Sequence, residues 1–378
     1  MLILTNARVY TPLEVVEPAT LFIDEGRIAD LRAKRHPRGE DLKGALVVPG
    51  FIDLHIHGYG GHDTNSGEPE ELLALAELLP RYGVTAFLPT TVTASHEELL
   101  RASRAVAQAI RIQGDRPRGA RILGLHLEGP YINPEKAGAQ NSSHIRPPDW
   151  EEFLQYWDAA EGKIRAVTVA PELPGALEFI GKAVGLGVTV SIGHTAASYE
   201  KARAAIRAGA RRATHLFNAM PPVHHRAPGV AVACLLAPEV AVELIADLVH
   251  VAGPMLELAW RVAGTERVML VTDAIPAGGL PDGHYALGGL EVDVREGVAR
   301  LGNGALAGST LSLDQAVRNA VSIGIPLRDA FCSATSVPAR ACGLAQLGTL
   351  QPGNPADFIV LDPELNLLRT YVGGERLF

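Results

Sequence analysis

The stretch Phe51-Ile52-Asp53-Leu54-His55-Ile56-His57 decides the reading of the fold. It is a short, largely apolar run, and its style recurs at residues 84–89, 121–127, 164–170, 188–193, 213–217, 241–246 and 268–272. Near-continuous apolar runs of this length suit parallel strands buried on both faces. Helical patterns fit between most of them. Ser95 with Glu98 forms a capping box before Leu99, Val106 and Ile110, which share one helix face. Asp149 with Glu152 opens a similar segment, and Pro69 and Pro254 occupy first-turn positions, where a missing N–H costs nothing. Eight strand–helix units predict an α/β fold, a (β/α)8 barrel of the TIM type over residues 51–344.

The ends of the chain read differently. Residues 2–10, 19–23 and 27–31 look like strands, with Glu25-Gly26 as a hairpin turn, and 357–361 and 368–372 look like strands again. The simplest arrangement is a small β-sandwich domain built from both termini, residues 1–50 plus 345–378, flanking the barrel.

Composition narrows the function. The chain has 378 residues, 47% hydrophobic and 20% charged, as expected of a protein with a sizeable core. With 34 Lys+Arg against 42 Asp+Glu the net charge is −8, which argues against nucleic acid or an anionic membrane as partner. Cys234, Cys332 and Cys342 show no paired spacing, so neither a disulfide framework nor a thiolate zinc site is expected. The first residues carry no basic stretch or long apolar run, and a cytoplasmic location is the expectation.

Active sites of such barrels lie at the C-terminal ends of the strands. Metal-capable or titratable groups stand at six of these ends: His55 and His57, Glu128, His194, His215, Asp247 with His250, and Asp273. A His-x-His pair alone is unremarkable among 13 histidines. Yet strand residues i and i+2 share a face roughly 7 Å apart, so two imidazoles can converge on one ion. The joint pattern on one rim is what points to chemistry. Imidazole and carboxylate donors suit Zn²⁺, Fe²⁺ or Mn²⁺. Glu128, His194 and His215 supply three ligands with an open position, the mark of a catalytic metal, and Asp273 is a candidate general base. His224-His225-Arg226, read alone, is a solvated loop. His62 and Asp63 either support the metal site or shape a turn.

Five segments then carry a resemblance. Residues 49–58 (Pro-Gly-Phe-Ile-Asp-Leu-His-Ile-His-Gly) look like the first barrel strand of the amidohydrolase superfamily. His126-Leu127-Glu128-Gly129-Pro130, Ser191-Ile192-Gly193-His194-Thr195, the segment from Ala213 to Met220, and Val271-Thr272-Asp273-Ala274 resemble, in order and spacing, the N-acetylglucosamine-6-phosphate deacetylase family. The likeness covers nearly the whole chain. It implies metal-dependent hydrolysis of the N-acetyl group of N-acetylglucosamine 6-phosphate, giving glucosamine 6-phosphate and acetate, in amino-sugar catabolism or recycling.

By matching position it implies that Glu128, His194 and His215 hold the core metal and that Asp273 is the catalytic acid/base. His250 would hydrogen-bond substrate and help polarise the amide. Asn218, Ala219 through its backbone, and Arg226 would hold the phosphate, with Arg226 reaching over from the partner of a homodimer. Ala139, Gln140, Leu306, Ala307 and Gly308 would line the sugar and acetyl pocket. Having His55 and His57, together with Gln140 where single-metal members carry histidine, implies one or two divalent ions per subunit: zinc first, with iron, manganese or cobalt as alternatives.

One departure stands out. Where the family reads Asp-Gly-x-His, this chain has Asp247-Leu248-Val249-His250, so Leu248 could crowd the sugar or alter the loop backbone. Rival readings are an N-acetylgalactosamine-6-phosphate deacetylase, a dihydroorotase-like enzyme, disfavoured because no Lys stands at a strand end, and a non-catalytic relative, disfavoured because every ligand is kept.

Overall fold

The structure is a computed structural model that describes residues 1–114 and 117–378. Eight parallel strand positions form the barrel: Phe51–Ile56, Val84–Thr91, a broken third strand (Arg121–Ile122 and Leu125–Glu128), Ile164–Val169, Thr189–Ile192, Arg212–Ala213, Ala241–Ile245 and Val268–Val271. The sixth is far shorter than its apolar run, because residues after Ala213 leave the strand in tight turns. The barrel closes between its eighth and first strands. There Asp273 N–H donates to His55 O at 2.9 Å and His57 N–H to Ala274 O at 2.8 Å.

Helices cover the outside, and the four anticipated starts are found. Ser95 and Glu98 cap the helix His96–Gln113 reciprocally. Asp149 accepts from Glu152 N–H at the start of Trp150–Ala159, and Pro69 and Pro254 lie in first turns. The main core lies between strands and helices. A second cluster joins Ile52, Leu54, Ala86, Leu88 and Met269 to Cys332, Val337 and Leu347. It leaves the polar chemistry to the opposite end.

The two chain ends do pair. Phe358–Leu361 lies antiparallel to Leu46–Pro49 inside one eight-stranded mixed sheet. The sheet folds back until Ile28 N–H donates to Asn354 O at 2.9 Å and Ala356 N–H to Gly26 O at 2.9 Å. It encloses its own core of Leu4, Val9, Leu21, Ile28, Val47, Phe358 and Tyr371.

One element was not anticipated. Gly283–Leu287, Leu290–Arg295 and Val298–Leu301 form a three-stranded antiparallel sheet after the eighth barrel strand. Its signals were Gly288-Gly289 and Glu296-Gly297, turn pairs between alternating segments. This sheet delivers the loop that carries Leu306, Ala307 and Gly308.

Candidate metal centre and cleft

Glu128 is the last residue of the third strand, whereas His194, His215 and Asp273 each stand two residues beyond the end of theirs. All three have left-handed backbone, φ 46°, 27° and 50°. For residues with a Cβ that conformation is costly, and such outliers cluster at functional sites. Here each accompanies a side chain set at the barrel mouth.

The side chains form two donor groups, Glu128 with His194 and His215, and His55 with His57 and Asp273, each with its ligand atoms within 4.8 Å of one another. Glu128 Oε1 is 3.0 Å from His215 Nε2 and 3.2 Å from His194 Nε2. Asp273 Oδ1 is 3.3 Å from His55 Nε2 and 3.0 Å from His57 Nε2. Glu128 also touches the second group, 3.3 Å from each of its histidines. All six residues are buried.

The far side of the rings shows what these groups suit. His194 Nδ1–H donates to Lys136 O at 2.8 Å, His57 Nδ1–H to Thr90 O at 3.0 Å, and His55 Nδ1–H to the Glu243 carboxylate at 2.9 Å. Those partners only accept, so each Nδ1 carries the proton and each Nε2 presents a lone pair to the centre. Outer acceptors of this kind set the tautomer of metal-ligating histidine. The donor set therefore fits divalent metal, through nitrogen and oxygen ligands alone.

Electrostatics agree. Burial pushes the Glu128 carboxyl up, but His55 and His194 outweigh it and hold it well below its ordinary value. Asp273 is likewise held down, by His55 and His57 against burial. Burial lowers His57, but contacts with Asp273 and Glu128 raise it to about 9.

A cleft of about 350 Å³ opens over this centre. His57, Glu128, His194, His215 and Asp273 line it, with Ala139, Gln140, Asn218, Ala219, His250, Leu306 and Gly308 from the expected pocket set. One expected pocket residue is placed elsewhere: Ala307 is buried beside Val92, Ile275 and Leu287. Arg226, expected to serve a partner's site, is exposed outside the cleft of its own chain, its Nη1 2.8 Å from His225 Nε2.

The pattern of the amidohydrolase family matches residues 46–377. The chain is 38% identical to N-acetylglucosamine-6-phosphate deacetylase of Lysinibacillus sphaericus, over 99% of this chain and 97% of that one. It superposes with TM-score 0.94 on an aspartate-to-alanine mutant of the N-acetyl-D-glucosamine-6-phosphate deacetylase of Mycobacterium smegmatis, in complex with N-acetyl-D-glucosamine-6-phosphate. That match has 40% identity and covers 100% and 99% of the two chains. The chain belongs to the N-acetylglucosamine-6-phosphate deacetylase family of amidohydrolases. It is also 40% identical, over 87% of each chain, to an N-acetylgalactosamine-6-phosphate deacetylase of Escherichia coli O157:H7.

Within this deacetylase scaffold, several details lie beyond motif reading. Gln140 is a clamp: Nε2 donates to Glu128 Oε2 at 2.6 Å and Oε1 accepts Thr93 N–H at 2.5 Å. Asp247 Oδ2 accepts His250 Nδ1–H at 2.6 Å, and His250 lines the cleft. Gly308 has φ 53°, and a Cβ there would lie 2.7 Å from Asp273 O, so the loop can approach Asp273 only without a side chain. Leu248 adopts φ 65°, is 41% exposed and is not among the residues lining the cleft. Its left-handed backbone shapes the loop, and its side chain is not part of the cleft wall. Lys136 also lines the cleft, a cation in the loop after the third strand that sequence reading passed over. Arg212 and Glu243, also absent from the sequence expectations, form a fully buried ion pair beneath the centre. Their signal was a charge inside each of two strands otherwise buried on both faces.

Proposed function

We propose that this chain hydrolyses the N-acetyl group of N-acetylglucosamine 6-phosphate, releasing acetate and glucosamine 6-phosphate, with both donor groups holding divalent metal. The observation that carries the reading is the convergence of Glu128, His194, His215, His57 and Asp273 at the floor of one cleft, with His55 buried against them. Nitrogen and oxygen donors favour zinc, with iron, manganese or cobalt as alternatives. The chemistry a divalent ion would supply there is Lewis acidity, which lowers the pKa of water to about 7 and polarises a carbonyl.

The chain's own residues do the rest. Asp273 is held ionised, its N–H bonded to His55 O and its carbonyl accepting Ser309 N–H at 2.8 Å. It takes the proton of the attacking water and returns it to the departing amine nitrogen. His250, oriented by Asp247, hydrogen-bonds the substrate at the amide. Ala139, Gln140 and the loop of Leu306, Ala307 and Gly308 shape the sugar and acetyl pocket. Asn218 and Ala219 N–H bind phosphate, completed by Arg226 of a second subunit in a homodimer, which accounts for its exposure outside the cleft of its own chain. A guanidinium suits that task through its bidentate grip. Residues 51–344 form the catalytic barrel, and 1–50 with 345–378 form the flanking β domain. No helix among the described residues is long and apolar enough to cross a membrane, and a cytoplasmic location is proposed.

A second reading rests on the galactosamine-named relative: the 4-epimer as substrate. Acetate release from N-acetylglucosamine 6-phosphate, its galacto epimer and the unphosphorylated sugar tests both. Release from the gluco phosphosugar alone supports the proposal, preference for the epimer supports the second reading, and equal turnover of the free sugar refutes the phosphate site.

A further inference from the structure

We infer that Glu243 is a positioning residue that orients one ligand in each donor group and so sets the metal affinity of both; this rests on the two-group reading above. Glu243 lies in the seventh barrel strand and is fully buried. One oxygen, Oε2, accepts the His55 Nδ1–H at 2.9 Å and the His215 backbone N–H at 3.0 Å. Its own carbonyl accepts Leu216 N–H at 2.9 Å. The second group is thereby held through a ring, and the first through the backbone that carries its ligand.

The backbone strap matters for a specific reason. His215 Nδ1 is buried and has no hydrogen-bond partner among the described residues, unlike the Nδ1 of His55, His57 and His194. Among the described residues no hydrogen bond on the far side of the ring sets its orientation. With φ 27°, His215 stands in a conformation that its strand would not adopt unaided, and the Glu243 bonds on both sides of that residue fix it. Glu243 Oε1 is paired with Arg212 Nε, and Arg212 Nη2 donates to Leu54 O at 2.8 Å, next to His55. The ion pair thus joins the sixth and seventh strands to the first. Outer-sphere acceptors fix ligand tautomer and raise basicity, and losing one typically costs about 10–100-fold in metal affinity.

The test is zinc uptake by metal-free wild type and Glu243→Gln, read as ions bound per subunit against free zinc, with thermal unfolding alongside. The expected result is two ions in wild type and about 10–100-fold weaker uptake at both sites in the variant. Turnover of the variant should recover as free zinc is raised, which a merely structural defect would not allow. If Glu243→Gln does not fold, the Arg212→Met/Glu243→Gln double variant removes both buried charges and carries the same expectation. A folded variant that takes up two zinc ions with wild-type affinity overturns the inference. Wild type binding no more than one ion overturns the two-group reading, and the inference with it.

Discussion

Glu128, His194 and His215 come from the third, fifth and sixth strands, inside one uninterrupted series of parallel neighbours. His55, His57 and Asp273 come from the first and eighth strands, on either side of the line along which the barrel closes. The first group needs only correct strand order. The second also needs closure, since the bonds that join the seam, Asp273 N–H to His55 O and His57 N–H to Ala274 O, are made by the ligands' own backbone. One group is therefore a property of the sheet, and the other a property of the closed cylinder. With Asp273 as the proposed base, catalysis depends on an intact seam.

The sharpest way to separate the groups is at Asp273. Asp273→Asn should lower kcat by about 10²–10⁴, the usual worth of a positioned proton transfer, while metal bound by Glu128, His194 and His215 is retained. Near-normal turnover with metal present would remove Asp273 as the base.

Metal stoichiometry gives the next largest contrast. Glu128→Ala should abolish tight binding at both sites, because Glu128 contacts donors of both groups. His57→Ala should leave one ion per subunit, with residual turnover from a three-ligand site that keeps an open position. If both variants lose metal equally, the groups are not separable.

Acid stability examines what lies beneath both. Burial pushes Glu243 up, but Arg212 and His55 outweigh it and hold it at about 2. A carboxyl depressed in the folded state contributes stability above its unfolded value, near 4.5, and loses it as pH falls through the folded one. Metal-free protein should therefore lose on the order of 3 kcal/mol between about pH 4.5 and 2 from this group. Urea unfolding across that range should show a shallower pH slope in Glu243→Gln; an unchanged slope would assign acid lability to other carboxyls.

The smallest effect is expected at Leu248, outside both groups. Its left-handed backbone costs about 1–2 kcal/mol, partly offset by the extra chain entropy of glycine. Leu248→Gly should raise stability by up to about 1 kcal/mol with kcat/KM for the phosphosugar unchanged. A clear gain in kcat/KM would mean that Leu248 reaches substrate after all.

Much of this was legible in the chain itself. Seven of the eight apolar runs became barrel strands close to their expected bounds, and the terminal strands were found at both ends. The sixth run misled, because apolar Leu216 and Phe217 follow a ligand that must leave the strand. Every residue of the two donor groups was nameable, since metal chemistry restricts ligands to few residue types and barrel topology restricts where they stand. The three-stranded insertion was legible only through its paired turn residues. Arg212 and Glu243 each put a charge in a buried strand, and nothing in the linear order pairs them.

The sequence by itself determined which side chains could bind metal and on which strand end each would stand, because alternation of apolar runs and helices fixes strand order and direction. Tertiary structure alone decided that the first and last strands meet and that one buried carboxylate serves ligands from two groups. Those relations join residues tens to hundreds of positions apart, and they arise from how a twisted parallel sheet closes on itself, which no local pattern encodes.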